Sequence, residues 1–252
     1  MSPAHAPTLR VERSMLRSGL AALGCADEAG RGALCGPVSV GVVVVTASTR
    51  PAPVGVRDSK LLSPQQRYDL VPAIERWAEH AVGMASAAEI DRFGVVAALR
   101  LAGHRALAGL TVQVERVLLD GNHDYLSEPE QSALFGPASP LAAVPEITTL
   151  VKADLRCAGV AAASILAKAA RDRLMIDLHD AYPDYGWAEN KGYGAPGHLE
   201  ALARLGPTPH HRVSWDLPRP RPVEGVRSPA PSSACDDAAI GAGRVTGGGG
   251  NG

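Results

Sequence analysis

Apolar positions along this chain follow two periods, and the changes of period mark its elements. Residues 20–26 form a short apolar run and residues 38–45 a β-branched one, so both read as strands. A glycine-rich turn separates them, and they are expected to pair as a hairpin. Ser63 then offers an N-cap with Pro64 at the first helical position. Leu70, Ile74 and Trp77 recur on one face of a helix that runs to about residue 80. Residues 81–85 predict a short strand, and the alanine-rich stretches 87–93 and 95–107 predict helices. Compact apolar runs at 115–119 and 147–151 predict two more strands. The strongest helical pattern covers 159–179. There Ala162, Leu166, Ala170, Leu174 and Leu178 form an apolar stripe, with Lys168, Arg171 and Met175 off it. A short helix over 198–205 follows.

The stretches between carry less pattern. Residues 1–18 mix Pro, Ala and Arg and predict a flexible N-terminal arm. Residues 124–145 read as a surface loop. From 218 to 252, Pro, Ser, Ala and Gly dominate, and such a tail buries too little apolar surface to order itself. One domain over 19–217 remains.

Composition sharpens this picture at three points. Of 252 residues, 46% are hydrophobic but only 4% aromatic, so Ala and Val must supply most of the core. The net charge of -1 offers no global basic field to nucleic acid. A local one exists at 150–175, where Lys152, Arg156, Lys168, Arg171 and Arg173 outnumber Asp154 and Asp172. It is either a solvated helix face or a surface turned toward phosphates. Cys25, Cys35, Cys157 and Cys235 make no CxxC pair, which argues against zinc and suits buried thiols of a reduced, cytoplasmic protein. No apolar run is long enough to span a bilayer, and residues 1–10 lack the apolar centre of a signal peptide.

The chemistry concentrates where predicted strands end. Asp27 and Glu28 follow the first strand and precede Gly30-Arg31-Gly32; Asp120 ends another; Asp154 lies just past a third. In a sheet with parallel central strands such ends converge on one edge. Carboxylates gathered there repel unless cations sit between them, and with no Cys or His set nearby an oxygen-loving divalent ion fits best. The glycine turn adds backbone N–H groups and a guanidinium suited to phosphate or sugar oxygens. Other readings stand beside these. The acid pair could be a solvated hairpin turn. Gly30, Gly32 and Gly36 loosely mimic a dinucleotide loop, but that loop should open a helix, and a valine run follows. Asp58-Ser59-Lys60 is either ordinary loop polarity or a lysine held near phosphate. Tyr193, between Gly192 and Gly194, either stacks on a ligand or caps the core.

Taken in order, these motifs resemble the ribonuclease HII family. Asp27-Glu28-Ala29-Gly30-Arg31-Gly32 with Gly36-Pro37-Val38 is similar to its signature. Asp58-Ser59-Lys60, Asp120-Gly121-Asn122, Ala162 to Lys168 with Arg171-Asp172, Lys191-Gly192-Tyr193-Gly194 and His211-Arg212 match its other motifs over about residues 20–217. The resemblance implies an α/β, RNase H-like fold: a five-stranded mixed sheet flanked by helices, with a helical C-terminal extension. It implies a monomeric endonuclease using Mg2+ or Mn2+ that cuts the RNA strand of RNA–DNA hybrids and 5′ of single ribonucleotides in duplex DNA. Two-metal, in-line attack by water would leave a 3′-hydroxyl and a 5′-phosphate. It makes Asp27, Glu28, Asp120 and Asp154 the catalytic and metal-binding acids. Gly30, Arg31 and Gly32 would meet the 2′-hydroxyl, Tyr193 would stack on the junction sugar, and Lys60, Ser164 and Lys168 would hold phosphates or support groups that do. Cys35, Ala195 and the glycine-rich tail depart from the family pattern. The alternatives from other classes are a non-catalytic hybrid-binding protein and a dinucleotide-dependent enzyme.

Overall fold

A computed structural model describes residues 6–129 and 136–218, all within one compact unit, Met1–Pro220. The tail expected from residue 218 lies, apart from Pro218, outside the described residues, as do residues 1–5 and Cys235. The elements are α1 (Arg10–Leu16), β1 (Leu23–Ala29), β2 (Val38–Val45), α2 (Pro64–Trp77), β3 (His80–Ala85), α3 (Ala87–Phe93), α4 (Val95–Ala108), β4 (Arg116–Asp120), β5 (Glu146–Leu150), α5 (Ala158–His179), α6 (Trp187–Asn190) and α7 (Pro196–Leu205). Among the described residues no helix is long and apolar enough to cross a membrane.

The five strands form one mixed sheet in the order β3-β2-β1-β4-β5. β1 and β2 pair antiparallel, from Leu23 opposite Val45 to Ala29 opposite Ser39, which makes the expected hairpin. β3 extends that half antiparallel. β4 and β5 add the parallel half, each strand following a crossover. Helices cover both faces, so β2 is buried at every position and reads as an unbroken valine run. Val40 and Val42 join Ala98, Leu99 and Ala102 of α4 on one face. Val43 joins Ile74 of α2 and Ala161, Ala162 and Ile165 of α5 on the other.

The alanine-rich composition has a structural reason. A Cβ on Gly41 of β2 would overlap the Ala163 carbonyl oxygen of α5, and one on Gly83 of β3 would overlap that of Ala102 in α4. Both helices therefore lie nearly against the sheet backbone, and only small residues fit between. Burial on α5 is broader than the expected stripe. Every residue from Ala158 to Ala167 is buried, because α2 and the 3-10 turn Ser59–Leu61 close the side away from the sheet. Farther along, Arg171, Asp172 and Met175 are buried too. Met175 enters a small second core with Cys35, Tyr185, Trp187 and Leu202, which seats the C-terminal extension.

Local signals explain most helix ends. Ser63 caps α2 in a reciprocal capping box with Gln66, and Pro64 takes the first position. Ser86 and Glu89 do the same for α3. The long helix α5 has no such local cap. Instead the Glu12 carboxylate accepts from Gly159 N–H at 2.9 Å, placing an acid from α1 at the positive end of α5. Residues 10–16 are therefore a docked helix, in contrast to the flexible arm expected there. Leu9, Glu12 and Leu16 recur at helical spacing and are all buried, the two leucines against Leu23, Cys25 and Val160. The prolines and arginines around them hide that short stripe from a composition-based reading.

The closeness of α5 to β2 is testable. Gly41→Ala is expected to lower unfolding stability by about 1–3 kcal/mol in a urea titration, the usual size of an overpacking penalty. An unchanged midpoint would mean that α5 does not approach β2 as described.

Candidate active site

Sheet register assembles the acids. The last parallel pair between β1 and β4 is Ala26 opposite Leu119, so Asp27 and Asp120 each come one residue later on neighbouring strands. β1 does not end there. Asp27, Glu28 and Ala29 continue antiparallel to Gly41, Val40 and Ser39. The acid pair thus lies inside the strand rather than past its end, because β2 goes on supplying hydrogen bonds after β4 has stopped. Asp120 is the final residue of β4, opposite Leu150 of β5. The chain then turns through Lys152, held left-handed at φ 57, into a 3-10 turn, Ala153–Leu155. Ala153 N–H donates to Asp120 Oδ1 at 2.6 Å, which ties this turn to β4 and delivers Asp154 beside it.

One carboxylate oxygen from each of Asp27, Asp120 and Asp154 lies within 4.8 Å of the others. Asp27 and Asp154 are both only 4% exposed. Burial pushes Asp27 well above the ordinary carboxylate range, with Glu28 and Asp120 adding to it and the Ser164 hydroxyl opposing. Burial, then Asp120 and Asp58, raise Asp154 to about 6 against the pull of Lys60. Glu28 stands beside this group. Its Oε2 accepts from Tyr125 Oη at 3.3 Å and its Oε1 is 4.0 Å from Arg31. Burial raises Glu28, with Arg31 and Tyr125 opposing and Asp120 reinforcing.

The donors suit a hard divalent cation. All are carboxylate oxygens, and they converge where their like charges repel. Lys60 Nζ is 3.9 Å from Asp154 Oδ2, but its side chain is 77% exposed, so this pair is weak. Burial tends to lower the Lys60 ammonium; Asp27, Asp58, Asp154 and Asp120 outweigh it and raise the group.

The other expected site residues divide into exposed and buried groups. Gly30 turns left-handed at φ 86, and the Arg31 side chain after it is half exposed. Tyr193 is half-buried, with Lys168 Nζ and Arg171 Cζ each 5.2 Å from its ring centre. Gly192, just before it, accepts from Leu34 N–H and Cys35 N–H, so the tyrosine loop is bonded to the glycine turn. Lys168 donates to Asp172 at 2.6 Å, and Arg67 flanks the same carboxylate at 3.5 Å. Ser164 is buried. Its hydroxyl shares a 2.8 Å hydrogen bond with Ser59 and supports Asp27, so it orients an acid rather than presenting itself to a ligand. Arg171 is fully buried as well, so it does not belong to a phosphate-facing surface over 150–175.

Three residues act here without having been singled out by their chemistry. Tyr125 supports Glu28 from a segment that reads as loop. Arg212 donates to the carbonyls of Gly30, Arg31, Gly36 and Pro37, bracing the glycine turn from below. Arg171 braces the same turn through Pro37 and Cys35. His211-Arg212 and Arg171-Asp172 are visible as motifs, but a side chain spent on backbone carbonyls leaves no periodic trace.

Comparison with known proteins agrees with this geometry. The family model for ribonuclease HII matches residues 23–217. A ribonuclease HII from Streptomyces coelicolor is 44% identical over 232 residues, covering 90% of this chain and 92% of that protein. One from Thermus thermophilus is 45% identical over 203 residues, covering 80% and 89%. Among solved structures, ribonuclease H2 from Pyrococcus horikoshii OT3 superposes with a TM-score of 0.59 at 26% identity, covering 77% of this chain and 94% of that one.

The raised Asp154 carboxyl fixes the sign of a pH effect. Its pKa of about 6 lies above the unfolded value, so the folded state binds the proton more tightly and loses stability as pH rises through that interval. In chelator, Asp154→Asn should therefore be more stable than the parent by about 1–2 kcal/mol near pH ~7, and equal to it near pH ~4. Adding Mg2+ should raise the parent's melting temperature more than the variant's. Urea and thermal unfolding check both; a variant less stable at neutral pH without metal would contradict the burial and repulsion that raise this carboxyl.

Proposed function

Because this chain belongs to the ribonuclease HII family and is a ribonuclease H type endoribonuclease, we propose that it cuts the RNA strand of RNA–DNA hybrids and also 5′ of single ribonucleotides embedded in duplex DNA. The products would be a 3′-hydroxyl and a 5′-phosphate, and the enzyme would work as a monomer in the cytoplasm. One observation carries the reading: the register that sets Asp27 beside Asp120, with Asp154 folded onto both.

Asp27, Asp120 and Asp154, with Glu28 next to them, would hold Mg2+ or Mn2+. When bound, a pair of such ions lowers the pKa of attacking water and steadies the departing oxygen, so no protein nucleophile is required. The chain's own residues position the strand to be cut. Ser164 and the Glu28 N–H, which donates to Asp27 Oδ1 at 2.8 Å, fix the orientation of Asp27. Tyr125 and Arg31 do the same for Glu28. Gly30, Arg31 and Gly32 offer N–H groups and a half-exposed guanidinium next to the acids, where a 2′-hydroxyl can be read. That hydroxyl is what separates a ribonucleotide from its DNA neighbours. Tyr193, half-buried on the loop bonded to the glycine turn, would stack on the sugar that follows it. Lys60, beside Asp154, and Lys168, beside Tyr193 and bonded to Asp172, would hold phosphates of the bound strand or support groups that do.

Two substitutions test these roles. Asp27→Asn should cut the cleavage rate by about a hundredfold or more while the protein still folds and binds hybrid, since one ligand is lost and little packing changes. Near-normal turnover would remove Asp27 from the site. Arg31→Ala should lower cleavage of a one-ribonucleotide duplex by about tenfold with little change in melting temperature, because the side chain is half exposed. An unchanged rate would contradict its role as a reader.

A further inference from the structure

Arg171 lies beneath the reading surface with no solvent exposure. A buried guanidinium is tolerated when its nitrogens find partners, and here each of its three nitrogens donates to a backbone carbonyl. Nε donates to Pro37 at 2.8 Å, Nη2 to Cys35 at 2.9 Å and Nη1 to Lys191 at 2.9 Å. The first two carbonyls belong to the glycine turn that carries Arg31. The third belongs to the loop that presents Tyr193, and the guanidinium carbon sits 5.2 Å from that ring's centre. Five donors in a rigid planar fork fix direction as well as distance, which a lysine ammonium cannot do. The fit is close: a Cβ on Gly30 would overlap Arg171 Nε. Backbone bonds to Gly192 already join the two loops, and Arg171 sets their relative orientation from below. Arg212 provides the contrast. It is equally buried, but its guanidinium donates to carbonyls of the turn alone.

We propose that Arg171 is a positioning residue that couples the 2′-hydroxyl-reading turn to Tyr193, and so sets the preference for a ribonucleotide–DNA junction over continuous hybrid. The proposal rests on the roles given above to Arg31 and Tyr193. A single buried group bonded to both loops lets the position of one reader constrain the other. Correct placement of the 2′-hydroxyl and of the following sugar then becomes one requirement instead of two.

The test is a double-mutant cycle. Cleavage of a one-ribonucleotide duplex and of a continuous RNA–DNA hybrid is measured for the parent, Arg31→Ala, Tyr193→Ala and the pair together. All four are repeated with Arg171→Lys, and thermal unfolding reports that each variant is folded. In the parent, the two losses on the one-ribonucleotide duplex should be non-additive by about fivefold or more. With Arg171→Lys they should become additive. The preference for the one-ribonucleotide duplex should also fall by about tenfold, appearing in kcat more than in KM, while the continuous-hybrid rate changes by less than about threefold. Coupling that survives in folded Arg171→Lys overturns the proposal. If Arg171→Lys fails to fold, Arg171→Gln carries the same cycle, since its amide reaches only as far as Nε and loses the bonds to Cys35 and Lys191. If neither Arg31→Ala nor Tyr193→Ala alters substrate preference in the parent, the roles of those two residues fail and the proposal falls with them.

Discussion

Hydrogen-bond register, and not attraction, brings three carboxylates together. Asp27 and Asp120 sit side by side because Ala26 pairs with Leu119, and Asp154 joins them because the turn after β5 is bonded to Asp120. Two full charges under 4.8 Å apart repel by roughly 3 kcal/mol at an effective dielectric of about 20. Burial raises the carboxyls of Asp27 and Asp154 most, and this repulsion adds to it. The sheet can impose this because it is buried on both faces, with α4 and α5 seated almost on its backbone. The repulsion that the register enforces is what a divalent cation held by these oxygens would relieve.

Around that centre, buried polar groups shape the site and exposed ones face solvent. Arg171 and Arg212 are wholly enclosed and spend their donors on carbonyls of the loops above them. Ser164 and Ser59 likewise serve Asp27 from within. Arg31 and Lys60, by contrast, reach into solvent next to the acids. The N-terminal helix belongs to the enclosed set. Thr8 brackets residues 156–158 through its backbone, and Glu12 caps α5, directly after the turn that carries Asp154. One helix, α5, thus links Glu12 at its start, Ser164 near the acids and Arg171 under the reading loops.

Much of this was legible in the chain, for physical reasons. β2, α2, α3, α4 and α5 show their patterns plainly, and α2 and α3 carry caps that read locally. The convergence of Asp27, Asp120 and Asp154 followed from strand ends in a parallel half-sheet. What escaped depends on tertiary contact. β1 runs through its acids since β2 outlasts β4, a matter of pairing that no single strand displays. α1 is fastened by a leucine pair and one buried carboxylate whose partner is 147 residues away. Arg171 looks like part of a basic helix face until the C-terminal extension covers it. A lone polar side chain leaves no pattern, whether it is aimed at a distant carboxylate, as Tyr125 is, or at backbone carbonyls, as Arg212 is.

The most direct test of the central claim is a crystal structure of the full chain grown with Mn2+, with the anomalous signal of manganese used to locate the ion. The account predicts a peak bounded by carboxylate oxygens of Asp27, Asp120 and Asp154. A well-ordered site with no manganese there, or with manganese held elsewhere while those three side chains keep their places, would contradict it.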